Sequence, residues 1–427
     1  MVLPEEIAAY ILAMTVRRRT SLRSVAEEFF ERNPELDYMK PIVRVLTLGV
    51  ARNFMLLDHA LEKLGYGPPS HARSWMLARV LAYEAIFGKL KRSRVEKLAS
   101  KARLKPEDVY KLKGVKPSDI VSDLHGIDKL AVRYSFPRWI LEELLTAGVY
   151  DLDALLEALN RDPVRYIRVA PGVDRVKLAK MLREEGVIVE PDPRLPDLMR
   201  IVEGADRAAK TKAYEEGLYT IQDKASALVT HLLEPQGEVA VDYTAGAAVK
   251  ASHAAWLGAR FVVACDIKPL RFTGRYGARG LISRLKVGHV IDLVVADARR
   301  PATRPLKRII VDPPCSDIGR LQYEPEIKMW LTRGDAKMYS RIQRQILKAV
   351  VEHAAPGARI VYSVCTLTYS EAERVVKRVL RESSGVNLVR IKPPFGDESP
   401  KLPGAIRTYP HRHDSQGFFI AVLEKEG

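Results

Sequence analysis

Glu238-Val-Ala-Val-Asp242 runs into Tyr243-Thr-Ala-Gly-Ala-Ala-Val-Lys250 and, a helix-length later, into Arg260-Phe-Val-Val-Ala-Cys-Asp266. Each outer segment is a short apolar run closed by an aspartate. The middle is a small-residue loop that leads into helical spacing, so the order reads strand, helix, strand. The alternation continues to the C-terminus. Candidate strands are Leu293 to Ala296, Arg308 to Asp312, Arg359 to Val364 and Phe418 to Leu423, with helices near Ala247 to Leu257, Asp335 to His353 and Ser370 to Glu382. Such a pattern predicts a mostly parallel sheet covered by helices on both faces.

Ligands of doubly wound sheets lie outside the carboxyl ends of the strands. Asp242, Asp266, Asp297 and Asp312 all fall there. Strand-end aspartates are often helix caps, and a small-residue loop alone says little, but the ordered set of four points to a nucleotide. Asp266 follows Asp242 by 24 residues, close to the roughly 20-residue spacing at which an acid reaches ribose hydroxyls. No Gly-Lys-Ser/Thr phosphate loop is present, so an adenosyl group fits the pattern better than a triphosphate.

Upstream the pattern differs. From Glu5 to about Gly88 apolar residues recur at helical spacing, as in Val43, Leu46, Val50, Phe54, Leu57 and Leu61, which predicts a helical bundle. Pro106, Gly114, Pro117 and Gly126 read as a linker. Leu130 to about Val202 mixes helices with the strand-like Tyr166-Ile-Arg-Val169 and reads as a small cap. The expected domains are therefore 1–124 all-helical, 125–205 small α+β, and 206–427 α/β.

The 427 residues hold 69 basic and 53 acidic side chains, a formal charge of +16. That excess favours a polyanionic partner, nucleic acid before an anionic membrane. Between Gly88 and Lys116 eleven basic residues face three acidic ones. The run, with Lys89, Lys91, Arg92, Arg94 and Lys97 at its start, is either a solvated helix face or an RNA backbone contact. No stretch is long and apolar enough for a membrane span, and the N-terminus has no signal-peptide pattern; a cytoplasmic monomer without membrane contact is expected.

Only Cys265, Cys315 and Cys365 carry thiols, too few for a disulfide framework and without a Cys-x-x-Cys pair for zinc, so no metal is expected. Cys265 lies inside an apolar run and reads as a buried small hydrophobe. Cys315 and Cys365 each follow a candidate strand among polar or turn residues. Carbon 5 of cytosine becomes reactive toward a methyl donor only after a thiolate adds to carbon 6. That chemistry needs a nucleophilic cysteine, an acid at the N3 edge and a proton acceptor, and Cys365, Cys315 and Asp312 can supply them.

Asp312-Pro-Pro-Cys-Ser-Asp-Ile-Gly319 resembles the Asp-Ala-Pro-Cys-Ser-Gly-x-Gly motif of the Nol/Nop/Sun family of RNA cytosine-5 methyltransferases, and Tyr362-Ser-Val-Cys-Thr-Leu367 resembles its Tyr-Ser-Thr-Cys-Thr-Leu motif. Ile221-Gln-Asp-Lys-Ala-Ser226, Gln345-x-Leu347 and Pro410 to Ala421 resemble further family segments. Ser135-Phe-Pro-x-Trp139 with Ile167-Arg-Val169 resembles the cap of the bacterial ribosomal RNA members, and Leu48-Gly-Val-Ala-Arg52 their NusB-like helical domain.

The resemblance implies a Rossmann-like methyltransferase domain with a mostly parallel seven-stranded sheet, preceded by an all-α NusB-like RNA-binding domain and a small α+β cap. It implies S-adenosylmethionine as cofactor and RNA as partner, ribosomal RNA before tRNA. Carried over, Cys365 is the nucleophile, Cys315 assists product release and Asp312 holds the N3 edge. Asp242, Thr244, Ala245, Gly246, Ala247, Ala248, Val249, Lys250, Asp266, Arg271, Asp297 and Asp312 are the expected cofactor residues. Lys89, Lys91, Arg92, Arg94, Lys97 and Arg168 are the expected RNA contacts. One loop departs from the family. Where it has Cys-Ala-Ala-Pro-Gly-Gly-Lys, this chain has Thr244-Ala-Gly-Ala-Ala-Val-Lys250, keeping the lysine and losing the paired glycines. A non-catalytic RNA-binding factor on the same fold is the alternative that this loop leaves open. An amino-group methyltransferase is a third reading of Asp312-Pro-Pro, although that chemistry needs no second cysteine.

Overall fold

Pro4 sets the first helix turn, where its missing N–H costs nothing, with Glu5 and Glu6 beside it on the positive helix end. The computed structural model describes residues 2–89, 91–274 and 277–427, and its N-terminal region is helical as the spacing predicts. Pro4–Arg18, Leu22–Arg32, Lys40–Lys63 and Arg73–Phe87 are the main helices, and they bury Ile7, Ile11, Leu12, Val50, Leu57, Leu61, Val80 and Leu81. Gly49 is required by close approach, since a Cβ there would lie 2.1 Å from the Tyr83 ring. Inside the bundle Arg79 forks onto Asp58 with two 2.7 Å bonds, and Trp75 adds a third donor to the same carboxylate.

The chain clusters into one unit of Met1–Leu145, Val149–Arg161 and Arg320–Arg333, and another of Thr146–Gly148, Asp162–Gly319 and Gly334–Gly427. The expected boundary near 124 is thus displaced. Pro106 and Pro117 each sit at the first turn of a short helix, Pro106–Lys111 and Pro117–Ile120, where proline starts a helix rather than breaking one. Leu104, Val109, Leu112, Ile120 and Val121 belong to the same core as the N-terminal helices. The linker reading is corrected accordingly. Helix Gly126–Tyr134, expected in the cap, also belongs to this unit, and Ser135 Oγ accepts from the N–H groups of Met55 and Leu56 at 3.1 and 3.2 Å. Residues 320–333 contribute Lys328, fully buried with its ammonium bonded to Asn160 Oδ1 and the carbonyls of Arg52 and Tyr134 and lying 4.1 Å from the Phe136 ring.

The second unit holds two sheets among the described residues. The smaller joins β1 (Arg165–Val169), β2 (Ile188–Pro191), β3 (Leu198–Glu203) and β4 (Tyr219–Ile221) in the antiparallel order β2-β3-β1-β4. Its last strand lies beyond the expected limit at 205. The larger sheet contains β5 (Val239–Asp242), β6 (Phe261–Asp266), β7 (Ile291–Val295), β8 (Arg308–Val311), β9 (Arg359–Val364), β10 (Val386–Leu388), β11 (Asp397–Glu398), β12 (Ile406–Thr408) and β13 (Phe418–Lys425). Its order is β11-β12-β13-β9-β8-β5-β6-β7, with β10 paired to β13. Strands β5 to β9 are parallel, and β13 enters antiparallel to β9. The seven expected positions are filled, and β10 and β11 are short additions. Continuous apolar runs in β6, β8 and β9 follow from burial on both faces; Ala264, Ile309, Val361 and Val364 are inaccessible. The fold is the Rossmann-like one predicted, with β5, β6, β8 and β9 aiming their carboxyl ends toward one edge.

Candidate active site

The loop after β5 is held from below before it can meet a ligand. Ala245 N–H donates to the Cys265 carbonyl at 2.8 Å, and Gly246 N–H donates to Asp266 Oδ2 at 3.0 Å. Gly246 and Ala248 adopt left-handed backbone, φ +56° and +60°, a conformation that costs an alanine about 1–2 kcal/mol. Ala248 is the N-cap of helix Val249–Trp256. Both turns needed to bend the chain from strand to helix are therefore made without the Pro-Gly-Gly of the resembled motif.

Asp266 closes β6 almost fully buried. Besides Gly246 it accepts from Lys268 N–H at 2.8 Å and from Arg271 Nη1 at 3.0 Å. Gly246, Ala247, Leu270, Arg271, Thr273, Gly274 and Gly277 line an adjacent open cleft of about 470 Å³. Asp242 is buried at the end of β5 and accepts from Thr244 N–H at 3.1 Å; burial pushes its carboxyl up to about 7, with Lys250 opposing. Asp297 is not among the residues lining the cleft. It is held below the usual carboxylate range by its hydrogen bonds to Arg299.

The loop and the first cysteine segment are tied together. Thr244 Oγ1 accepts from Asp312 N–H at 2.6 Å, and Lys250 Nζ donates to Asp312 Oδ2. Burial works against the Lys250 charge, but Asp312 holds its pKa above the usual value. The other Asp312 oxygen accepts from Ser363 Oγ on β9 at 2.7 Å. The two thiols meet beyond β8 and β9, Cys315 Sγ standing 3.3 Å from Cys365 Sγ. Cys365 is half-buried and Cys315 buried. The Cys365 hydrogen bond, burial and nearby carboxylates push the Cys315 thiol well up. Asp317 Oδ1 lies 2.8 Å from Cys365 Sγ and 3.7 Å from Cys315 Sγ. Cys265, by contrast, is inaccessible within β6, and burial with Asp242 and Asp266 pushes it up to about 12, as an inert core thiol should be.

Both cysteine segments hang on one buried acid. Glu371 accepts from Ser316 N–H at 2.9 Å, Gln343 Nε2 at 3.1 Å and Thr368 Oγ1 at 3.0 Å. Gln343 also donates to the Pro314 carbonyl at 2.9 Å, and Ser316 Oγ and Thr366 Oγ1 share a 2.7 Å bond. Burial pushes Glu371 up to about 7. Gly319 N–H donates to the Cys365 carbonyl at 3.0 Å, and a Cβ at 319 would fall 1.8 Å from the Gly417 carbonyl oxygen. Glycine is the residue that lets these chains cross.

Several expectations change. Arg168 was expected to touch RNA, yet its side chain is inaccessible. It donates to Gln222 Oε1, to the Val249 carbonyl at 3.0 Å and to Ser252 Oγ at 2.9 Å, and its guanidinium lies 4.5 Å from the Trp256 ring. Burial alone explains the correction. Arg168 instead grips the start of helix Val249–Trp256, which Asp197 also holds through His253 Nε2 at 2.7 Å. Of the basic run, Lys89, Lys91, Arg92 and Lys97 are exposed, whereas Arg94 turns inward to the buried Glu5. Gln343, not Gln345, reaches the site; Gln345 is exposed. Sequence pattern alone does not reveal the roles of Thr244, Ser363 and Glu371 in tying these segments together, nor that of Asp317, which occupies a position that the resembled motif fills with glycine.

Residues 230–424 match the family described as 16S rRNA methyltransferase RsmB/F. Similar curated proteins include ribosomal RNA small subunit methyltransferase B of Cronobacter sakazakii, 27% identical over 98% of both chains, and the probable ribosomal RNA small subunit methyltransferase B of Synechocystis, 25% identical over 98% of both. Among solved structures, PH0851 matches with TM-score 0.80 at 24% identity over 100% of this chain and 99% of that one. NSun6 from Pyrococcus horikoshii, solved with SFG, matches with TM-score 0.61 at 24% identity over 68% of this chain and 99% of that one. The family match over residues 230–424, the strand order and the paired cysteine segments agree: this part of the chain is similar to methyltransferases of the RsmB/F type.

Proposed function

We propose that this chain transfers a methyl group from S-adenosylmethionine to carbon 5 of a cytosine in RNA. Cys365 adds to carbon 6, and Cys315 assists release of the methylated product. The observation that carries the reading is the pair of thiols 3.3 Å apart, one half-buried and one buried, beside an aspartate that lysine and serine hold in place. The more accessible thiol suits attack on an incoming base. The buried one, beside it, is placed to act in the later release step.

The loop after β5 fits the cofactor. A Cβ on Gly246 would meet only Arg271 Nη1 at 3.7 Å, so the backbone there borders open space in the cleft. Asp266 Oδ1 accepts one of the three donors given above, which leaves an acceptor position for a ribose hydroxyl. Asp242, Ala245, Gly246, Ala247, Ala248 and Val249 would frame the methionine end and Arg271 the ribose edge. When bound, S-adenosylmethionine supplies an electrophilic methyl group. Lys250, neutralised by Asp312, orients that carboxylate toward the N3 edge of the base. Ser363 fixes its other oxygen.

Relatives named ribosomal RNA small subunit methyltransferase B, matched over 98% of their length, support small-subunit ribosomal RNA as the substrate. Lys89, Lys91, Arg92 and Lys97 would meet the phosphate backbone. A denaturing gel tests the thiol roles. Cys315→Ala accumulates a covalent protein–RNA adduct, and Cys365→Ala forms none; an adduct that survives Cys365→Ala overturns the assignment. Bisulfite sequencing of ribosomal RNA from cells with and without the gene identifies the cytosine.

A further inference from the structure

Ser316-Asp317-Ile318 turns sharply between the first cysteine and Gly319. Asp317 makes the turn with φ +57°, a left-handed conformation that glycine adopts freely and aspartate tolerates. The turn brings its carboxylate back over the thiols rather than out to solvent. Oδ1 stands 2.8 Å from Cys365 Sγ and 3.7 Å from Cys315 Sγ, and the side chain is half-buried. The segment has no freedom to drift. Ser316 is fixed on one side by Glu371 and Thr366, and Gly319 on the other by the Cys365 carbonyl.

A carboxylate in that place has two effects on the thiol. Its negative charge opposes formation of a free thiolate before substrate arrives. Its lone pair is already aligned to receive the thiol proton once an electrophilic carbon approaches the sulfur. Together these favour loss of the proton during attack rather than before it. Resting thiolates are vulnerable to oxidation and alkylation, so the arrangement also shields the nucleophile.

We propose that Asp317 is a catalytic residue, the general base that takes the Cys365 proton as sulfur bonds to carbon 6 of the target cytosine. This rests on the assignment of Cys365 as nucleophile. In the step the S–H bond breaks, its proton goes to Asp317 Oδ1, and the sulfur lone pair forms the S–C6 bond. The carbon 5–carbon 6 π pair moves onto carbon 5 and its conjugated N3 edge. Reversal of the step returns the S–C6 pair to sulfur, restores the carbon 5–carbon 6 double bond from the carbon 5 pair, and takes the proton back from Asp317. Nothing is oxidised or reduced.

The test uses the full-length protein in a Cys315→Ala background, with RNA, S-adenosylmethionine and single-turnover adduct formation on a denaturing gel. Asp317→Gly relieves a left-handed residue and Asp317→Asn keeps its shape, so both retain the fold. Each slows adduct formation by about 10²-fold, the usual worth of a positioned general base. Their rates also climb about tenfold per pH unit from pH 6 to 8, as hydroxide replaces the lost base, while the parent is nearly flat. Iodoacetamide, in the same proteins without RNA, alkylates Cys365 several-fold faster once the opposing charge is gone. Adduct rates within threefold of the parent, with an unchanged pH profile, overturn this inference alone. No adduct in Cys315→Ala itself overturns the nucleophile assignment and this inference with it.

Discussion

The Lys250 ammonium and the Asp312 carboxylate form an ion pair that joins the last residue of the loop after β5 to the first residue of the first cysteine segment. With Thr244 Oγ1 accepting from Asp312 N–H, the pair makes the proposed cofactor loop and the proposed base-binding acid one mechanical piece. Lys250→Met therefore acts twice. It leaves a partly buried carboxylate with only Ser363 as hydroxyl donor, costing about 1–3 kcal/mol, below the 3–5 of a fully buried pair because Asp312 keeps 24% side-chain exposure. It also frees Asp312 to rotate, and a misplacement of about 1 Å lowers methyl transfer about 10²-fold. Urea unfolding and tritiated-methyl incorporation measure the two effects. Turnover above half of wild type would reduce the pair to a purely structural tie.

Arg168→Met is expected to harm the fold rather than RNA affinity. The buried guanidinium serves Gln222, Val249 and Ser252, and methionine leaves these groups without their donor at a cost of about 3 kcal/mol or more. The helix that opens the cofactor loop loses its grip, so S-adenosylmethionine affinity by calorimetry falls as well. Filter binding to RNA stays within about twofold for the folded fraction. A selective loss of RNA affinity at unchanged stability contradicts this placement.

The exposed part of the basic run should behave in the opposite way. Replacing Lys89, Lys91, Arg92 and Lys97 together with alanine reduces the slope of log affinity against log salt by roughly three, at about 0.7–0.9 per phosphate contact. The thermal midpoint barely moves, because these side chains are exposed. Arg94→Ala lowers stability instead, since it strands the inaccessible Glu5. An unchanged salt slope in the fourfold variant would place the RNA contact elsewhere.

Strands β5, β6, β8 and β9 were legible because both faces of each are covered, so their apolar runs are continuous and end on a polar residue at the ligand edge. The cysteine pair was legible because thiols are so few. What sequence pattern cannot carry is direction. Gln343 and Gln345 stand about 200° apart on one helix, and only tertiary packing says which faces Glu371. Arg168 occupies a strand position that reads equally as surface or interior, and its three acceptors come from segments between 50 and 90 residues away. Pro106 and Pro117 read as breaks although each begins a helix. Asp317 acquires meaning only through a left-handed turn that returns it to the thiols.

Glu371 gives the protein a pH dependence of stability opposite in sign to that of a salt-bridged acid. Its folded pKa is raised to about 7 from 4.5 by burial, so the folded state binds the proton more tightly than the unfolded one. Folding then bears no cost from this group below about pH 4.5, and stability falls as pH rises from there through 7. Glu371→Gln mimics the protonated form, its carbonyl accepting from Ser316 and Gln343 and its amide donating to Thr368. Relative to wild type the variant therefore gains about 2–3 kcal/mol between pH 5 and pH 8. Urea midpoints at the two pH values supply the comparison, and a constant difference would mean that Glu371 does not titrate in that window.

Ala248→Gly decides whether the altered loop is a handicap. Alanine at φ +60° is strained by about 1–2 kcal/mol, which glycine would relieve. Against that, glycine forfeits a fully buried methyl group, worth about 0.8 kcal/mol, and adds about 0.4–1 kcal/mol of unfolded-chain entropy. The terms nearly cancel, so the thermal midpoint should shift by no more than a few degrees. Because the left-handed turn is already made, with Gly246 and Asp266 bonded beneath it, the donor site is already shaped. Calorimetry should find S-adenosylmethionine binding within about threefold of wild type. A gain above tenfold in the glycine variant would instead mean that alanine holds the loop away from its ligand-binding form, and that this chain has traded cofactor affinity for something else.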